Sequence, residues 1–291
     1  MGLVKFINNI KENTKVNCEP VKIEIKEDAR PYATPVARRV PIPLMQKVEA
    51  DLKRMKETGV IEGISEPTEW VSPIVPAVQP NGQVRICVDL KKLNENVERE
   101  IYIIPTIDDI IHKVKDSKVF SKLDAASGYH QIPLDEASAK LTTFITPYGR
   151  FYFKRLPFGI SSGPEIFQRL MIEILKDKEG VVCYFDDILI HTADEESHRQ
   201  LLMIVKDKLQ EAGLKLNEQK CTYLKKEIKF LGHIISPNGV KPDRKSGSHK
   251  EHARAYQCSR TQKIPRNGSV SGKIHRQSSN YSQASQLTFA E

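Results

Sequence analysis

Two short apolar runs, residues 181–185 and 188–191, are separated in the sequence only by Asp186 and Asp187. Each run has the length and composition of a buried strand, so the pattern predicts a hairpin whose tip carries two carboxylates. Adjacent carboxylates repel each other strongly unless cations neutralise them. Aspartate is also a common turn residue, although an Asp-Asp turn lacks the glycine that supplies positive φ in tight hairpins. The pair is therefore either a metal site or a simple turn.

A second predicted strand, residues 119–123, ends on Asp124. This aspartate could equally cap the N-terminus of a helix. If the strand lies beside the hairpin in one sheet, Asp124 and Asp186 can share two Mg²⁺ ions about 3.5–4 Å apart, an arrangement that catalyses in-line phosphoryl displacement. Spacing along the chain leaves that adjacency open.

The chain up to about residue 243 alternates predicted hairpins with predicted helices. A proline-rich stretch at 21–43 suits an extended strap, and apolar spacing predicts helices at 44–59, 107–114, from Pro164 onward and at 195–212. Strands are predicted at 71–78, 84–88, 119–123, 142–146, 150–154, 181–185, 188–191, 215–216, 222–224 and 230–235. This order indicates an α+β fold with an antiparallel sheet backed by helices.

The formal net charge of +8 is concentrated at the end of the sequence, because residues 244–291 hold nine Lys or Arg but only two Asp or Glu. The same stretch contains nine serines and no periodic apolar pattern, so we predict no fold for it. The global charge is consequently weak support for nucleic-acid binding by the folded part.

The cysteine pattern and the lack of long apolar runs indicate the cellular compartment of the protein. No run approaches the ~20 apolar residues that a membrane-spanning helix needs, and the N-terminus lacks the apolar core of a signal peptide. We expect free thiols, no membrane partner and an intracellular location, cytoplasmic or nuclear. The cysteines, none of which forms a C-x-x-C pair, are Cys18, Cys87, Cys183, Cys221 and Cys258.

Six motifs resemble those of reverse transcriptases, in particular the gypsy class of LTR retrotransposons, and they follow one another in the family's order. They are residues 85–89 (RICVD), 123–132 (LDAASGYHQI), 156–159 (LPFG), 184–187 (YFDD), 217–221 (NEQKC) and 230–233 (FLGH). The resemblance implies a fragment of a retroelement Pol polyprotein with a fingers and palm architecture. The implied divisions are a leader (1–30), fingers (31–115), palm (116–243, with a fingers insertion at about 138–158) and a basic tail (244–291).

The activity that the resemblance implies is RNA-directed DNA polymerisation, a nucleotidyl transfer. A primer 3′-hydroxyl, paired to an RNA or DNA template, attacks the α-phosphate of a dNTP and pyrophosphate leaves. Asp124 and Asp186 would bridge two Mg²⁺ ions, or Mn²⁺ in their place, with Asp187 secondary. Phosphoryl transfer asks a protein mainly for positioning and charge neutralisation, which suits this residue set.

The resemblance also assigns residues to the dNTP. Arg85 would bind the triphosphate, and Tyr129 would pack under the sugar and exclude a 2′-hydroxyl; the alternatives are a solvated strand arginine and an ordinary core tyrosine. Phe158 and Gly159 would lie near the nascent base pair, with the glycine letting backbone approach a ligand.

Two further assignments concern pyrophosphate and the primer. Lys220 resembles a lysine that protonates the leaving pyrophosphate, with a surface lysine as the alternative. Leu231, Gly232 and His233 resemble the primer-grip turn, and the alternative is a buried edge strand with a bulge at Gly232.

The sequence departs from the family at two places. Around Gln79 it lacks the lysines that reach the phosphates in many relatives, which predicts weaker dNTP affinity. Beyond residue 243 no thumb, connection or RNase H sequence is recognisable, and we hypothesise that a frameshift near this point replaced the thumb. Translation of the other two reading frames tests that hypothesis.

Two alternatives to an active polymerase stay open at this point. One is a catalytically impaired retroelement relic that at most binds nucleic acid. The other is a different two-metal palm enzyme such as a nucleotidyl cyclase, against which the 156–159 and 230–233 motifs argue. Nothing in the sequence predicts the oligomeric state.

Overall fold

The computed structural model describes residues 15–79, 82–99, 102, 105–176 and 178–243. The predicted tail, the first part of the leader and two residues of the 79–82 turn lie outside them. In chain order the described elements are α1 (Ile42–Glu57), β1 (Ile61–Gly63), β2 (Ser72–Val78), β3 (Val84–Val88), α2 (Lys91–Asn94), α3 (Ile107–Lys113), β4 (Val119–Asp124), α4 (Glu136–Leu141), β5 (Phe144–Thr146), β6 (Gly149–Phe153), α5 (Gly163–Ile174), β7 (Val181–Tyr184), β8 (Asp187–Thr192), α6 (Glu195–Glu211), β9 (Thr222–Lys225), β10 (Ile228–Phe230), β11 (His233–Ser236) and β12 (Gly239–Pro242).

The first sheet has five strands in the order β1-β6-β5-β2-β3, so β5 and β6 join strands from much earlier in the chain. All of its pairs are antiparallel except β2–β5. Helix α1 packs its apolar stripe, including Val48 and Leu52, against Ile74 and Phe144 of this sheet. The carboxylate of Asp51 on α1 accepts a hydrogen bond from the backbone of Ile86, which fixes β3 against the helix.

The second sheet has four strands in the order β7-β8-β4-β9, all antiparallel. Side chains alternate across β4, so Leu123 packs with α5 and α6 while Phe120 packs with α3 and β10. Both faces of the sheet are therefore covered. The predicted antiparallel sheet backed by helices is confirmed.

The predicted strap at residues 21–43 has no helix up to residue 41, and isolated bridges tie it to the rest, Val21 to Leu134 and Ala33 to Val71 among them. Its last two residues belong to α1, which begins at Ile42, two residues before the predicted start. Among the described residues no helix follows α6. None of the described helices is long and apolar enough to cross a membrane.

One predicted strand is wrong, and a second is reduced to a single bridge. Residues 230–235 do not form a single strand, because β10 and β11 make a hairpin in which Phe230 pairs with His233. Leu231 and Gly232 form its two-residue turn, and both have positive φ, 48° and 75°, as the favoured hairpin turns require. The predicted strand at 215–216 is only an isolated bridge from Leu216 to Ala125.

Candidate active site

The β7–β8 hairpin turns one residue earlier than its sequence suggests. Tyr184 pairs with Asp187, so Phe185 and Asp186 form the turn and Asp187 begins β8. The prediction that Asp186 and Asp187 separate the strands is therefore wrong by one position. Phe185 takes the positive φ, 52°, that glycine usually supplies.

Gln168 on α5 explains how Phe185 tolerates this conformation. Its side chain is fully buried; Oε1 accepts a hydrogen bond from the Phe185 backbone N–H (2.7 Å) and Nε2 donates one to the Cys183 carbonyl (3.0 Å). One amide thus holds both the turn, at Phe185, and the strand that leads into it, at Cys183. Sequence analysis missed Gln168, whose only signal is a polar residue on the apolar face of a strongly amphipathic helix.

The three aspartates meet where β4 and β8 pair. Asp124 lies directly opposite Asp187, and the Ala125 N–H donates to the Asp186 carbonyl (3.2 Å). The strand that ends on Asp124 therefore lies beside the hairpin that carries Asp186 and Asp187, a point that sequence spacing left open. Burial raises the pKa of Asp124, and the carboxylates of Asp187 and Asp186 raise it further, while Lys220 opposes them.

Two lysines neutralise part of this charge. The Nζ of Lys122 lies 2.9 Å from Oδ2 of Asp187, and the Nζ of Lys220 lies 3.6 Å from Oδ1 of Asp124. Lys220 was predicted near the reaction from the resemblance, and the structure brings it to the aspartates. Lys122 was not predicted. It lies two residues before Asp124 on the same face of the strand, but this position becomes informative only when Asp187 is known to lie opposite Asp124.

Three of the four predicted dNTP residues, Arg85, Phe158 and Tyr129, contact one another in that order. The guanidinium of Arg85 lies 4.2 Å from the centre of the Phe158 ring, whose centre is 5.0 Å from that of Tyr129 in an edge-to-face arrangement. Burial, with smaller effects from Asp186 and Glu165, raises the pKa of the Tyr129 phenol. Tyr129 therefore stays neutral and lies within electrostatic range of an aspartate.

The loop that carries Phe158 and Gly159 is held from the side by Asn94, a residue that sequence analysis missed. The Asn94 side chain donates to the Gly159 carbonyl (2.8 Å) and accepts from the Ser161 N–H (2.8 Å). Gly159 has a φ of 91°, in the region that favours glycine. The structure therefore gives this glycine a conformational role in shaping the loop.

Close packing around Tyr129 explains why residue 128 is a glycine. A Cβ on Gly128 would lie 2.7 Å from the ring of Phe167, which is itself buried and packs against Tyr129. Only glycine lets the 128–131 turn approach α5 this closely.

The predicted primer-grip residues lie at the β10–β11 turn. Leu231 packs in the same apolar cluster as Tyr184 of the β7–β8 hairpin, and the Nδ1 of His233 is 3.0 Å from the Leu231 carbonyl oxygen. The ring of Phe230, just before the turn, has its centre 5.9 Å from the Nζ of Lys122. The turn is therefore a neighbour of the aspartates.

The donor set suits a divalent cation that prefers oxygen. Asp124, Asp186 and Asp187 offer carboxylates on adjoining strands, and these are the hard ligands that Mg²⁺ takes. Among the described residues, no group of three His, Cys, Asp or Glu side chains has an arrangement that could hold a metal ion. The three aspartates nevertheless suit Mg²⁺, because they offer oxygen ligands and because the register of β4 and β8 brings them together.

An antiparallel sheet with aspartates at the end of one strand and on the neighbouring hairpin, backed by two helices, is the arrangement expected of the palm of a two-metal nucleotidyl-transfer enzyme. Residues 76–235 match the family described as reverse transcriptase (RNA-dependent DNA polymerase). The chain belongs to this reverse transcriptase family, a class of nucleotidyltransferases.

Relatives and solved structures agree with this membership. The chain is 38% identical over 202 residues to the retrovirus-related Pol polyprotein from transposon 297 of Drosophila melanogaster, covering 68% of this chain and 19% of the relative. It is 33% identical over 237 residues to the transposon Tf2-3 polyprotein of Schizosaccharomyces pombe, covering 79% and 18%. The chain thus spans about a fifth of the length of these relatives.

The fold resembles that of the foamy viral protease-reverse transcriptase, solved in complex with an RNA/DNA hybrid. The TM-score is 0.71 at 22% identity, over 82% of this chain and 32% of that one. A second foamy viral structure, with double-stranded DNA, gives 0.65 at 24% identity, over 76% and 39%.

Proposed function

We propose that this chain itself extends a primer 3′-hydroxyl with dNTPs, copying an RNA or a DNA template. The observation that carries the proposal is the register of β4 and β8, which sets Asp124 opposite Asp187 with Asp186 in the adjoining turn. Carboxylates so close together are costly unless cations offset them, and a two-metal phosphoryl transfer uses that arrangement.

Asp124 and Asp186 would hold two Mg²⁺ ions, or Mn²⁺ in their place. When bound, these ions neutralise charge on the triphosphate and favour the ionised 3′-hydroxyl. The hairpin's own contribution is rigidity, since Gln168 fixes the turn that carries Asp186. Positioning of this kind supplies much of the rate enhancement in phosphoryl transfer.

Arg85, Tyr129, Phe158 and Gly159 would bind the dNTP. The planar guanidinium of Arg85 suits phosphate oxygens. Its contact with Phe158 supports a position near the nascent base pair, where Phe158 is proposed to lie. Tyr129 would limit the space at the sugar 2′ position, which its packing on Phe158 supports.

Lys220 would donate its Nζ proton to the leaving pyrophosphate. Its approach to Asp124 supports this role, and its side chain is exposed enough to reach a ligand. Leu231, Gly232 and His233 would contact the primer strand.

The ordered motifs support assignment to the gypsy class of LTR retrotransposons. The free thiols of Cys18, Cys87, Cys183 and Cys221 support an intracellular site of action.

Primer extension with Mg²⁺ tests the proposal. Full-length chain should extend a labelled primer on an RNA template, and Asp186→Asn should not, while both bind the primer–template duplex equally. Duplex binding without extension by the wild type would instead identify a relic that only binds nucleic acid. Accumulation of a cyclic nucleotide from free triphosphate would identify a different palm enzyme.

A further inference from the structure

Lys122 is the most enclosed cation at the aspartates. Its side chain is 23% exposed, against 66% for Lys220, and its ion pair with Asp187, itself 17% exposed, is the shorter of the two at 2.9 Å. The centre of the Phe230 ring lies 5.9 Å from the same Nζ. Part-buried pairs are screened less than surface pairs, so this contact is the stronger electrostatic constraint.

The sheet geometry fixes this pairing. Lys122 and Asp124 project from the same face of β4, and Asp187 lies opposite Asp124, which makes Lys122 the diagonal neighbour of Asp187 across the strands. In the described part of the chain, no ion pair joins Asp186 to a lysine or arginine. The three carboxylates are therefore not equivalent: Asp187 is neutralised from within the sheet, and Asp186 is not.

We propose that Lys122 is a positioning residue that neutralises Asp187 and keeps it from acting as a ligand of the divalent ions. Asp124 and Asp186 are then the carboxylates that hold them. This inference rests on the proposed two-metal function and gives a physical reason for the secondary role that the resemblance implies for Asp187.

Removal of Lys122 has a definite expected effect. The site loses one fixed positive charge and Asp187 becomes available as a ligand, so the affinity for a divalent cation should rise about tenfold. The charge effect acts with or without Asp187, but the added ligand needs that carboxylate, so part of the increase should disappear when Asp187 is replaced.

Mn²⁺ binding to the full-length chain, followed by the electron paramagnetic resonance of the free ion, tests this without any turnover. Lys122→Met should bind Mn²⁺ about tenfold more tightly than the wild type. Lys118→Met is the matched control, since this exposed lysine precedes β4 at the far end from Asp124. The shift should be clearly smaller when Lys122→Met is made in an Asp187→Asn background, where only the charge effect remains. Circular dichroism in EDTA checks that each variant is folded.

Unchanged affinity in Lys122→Met, or an equal shift in the Asp187→Asn background, overturns the inference while the metal site stands. If the wild type shows no Mn²⁺ binding that Asp186→Asn removes, the proposed metal site fails and the inference with it. The two failures are therefore distinguishable.

Discussion

The Gln168 side chain is hydrogen-bonded to the Phe185 backbone N–H, and this contact holds the left-handed residue next to Asp186. Helix α5 thereby fixes the conformation of the turn that carries Asp186. The same amide also reaches the Cys183 carbonyl.

We predict that Gln168→Leu lowers the free energy of unfolding by about 1–3 kcal/mol, because the substitution removes two part-buried hydrogen bonds, one of which supports the positive φ of Phe185. The rate of nucleotide addition should fall more, by up to about 10²-fold, since an error of about 1 Å at the reacting atoms has that effect. Single-turnover extension and urea unfolding measure the two quantities. Gln200→Leu, on the exposed face of α6, is the control, and a rate equal to that of the control would contradict the role given to Gln168.

Asn94→Ala should raise the KM for dNTP with a smaller change in kcat. The substitution removes both hydrogen bonds that shape the 158–161 loop, at Gly159 and Ser161. Steady-state kinetics on a homopolymer template measures the change. Asn96→Ala also removes side-chain hydrogen bonds, but these reach Lys92 and Arg30 instead of the loop. Equal KM values for the two variants would show that the loop contact is irrelevant to the dNTP.

The parts of this site that could be predicted are local in sequence. Hairpins and helices follow from apolar spacing, and the motifs point to Asp124, Asp186 and Arg85. Gln168, Lys122 and Asn94 could not be found this way, because each acts through a partner that only the folded chain brings near. The turn at Phe185 was misplaced for the same reason, since a distant glutamine supplies what a local glycine usually does.

The buried His198 links α6 to the β7-β8-β4-β9 sheet and makes the stability of the fold depend on pH. Thr192 donates its hydroxyl hydrogen to the Asp194 carbonyl, so it can only accept from Nδ1 of His198, 2.9 Å away. Nε2 must then accept from the Ser121 hydroxyl, 2.7 Å away, which itself accepts from the Leu224 N–H. Protonation of Nε2 would break this fully paired network.

Burial lowers the pKa of His198 below its ordinary value of 6.5. The unfolded chain therefore binds this proton first, so the stabilisation is complete above about pH 6.5 and is lost as the pH falls towards the folded pKa. His130 and His191, whose pKa values burial lowers to about 4, should steepen the loss. It amounts to at most about 1.4 kcal/mol per pH unit for each histidine.

Urea unfolding between pH 8 and pH 5 measures this dependence. We expect His198→Gln to show a shallower slope than the wild type, whatever its absolute stability. His112→Gln, at an exposed position, should keep the wild-type slope. A wild-type slope in His198→Gln would rule out the network as the titrating element.

Gln79→Lys should lower the KM for dNTP by about three- to tenfold. Gln79 begins the turn between β2 and β3, and a lysine there would add a second cation to the hairpin that carries Arg85. A lysine at the remote, exposed Gln200 adds the same charge and should leave KM unchanged. Equal KM values in Gln79→Lys and the wild type would mean that the hairpin tip does not approach the phosphates.

The most direct test of the central claim is single-nucleotide addition to a primer on an RNA template of defined sequence, with Mg²⁺ and one dNTP at a time. The wild type should add only the nucleotide complementary to the template. Asp124→Asn and Asp186→Asn should each lose at least about 10²-fold in rate while keeping duplex affinity. Addition at the wild-type rate by either variant, or addition that ignores the template base, would contradict a template-directed polymerase centre built on these two aspartates.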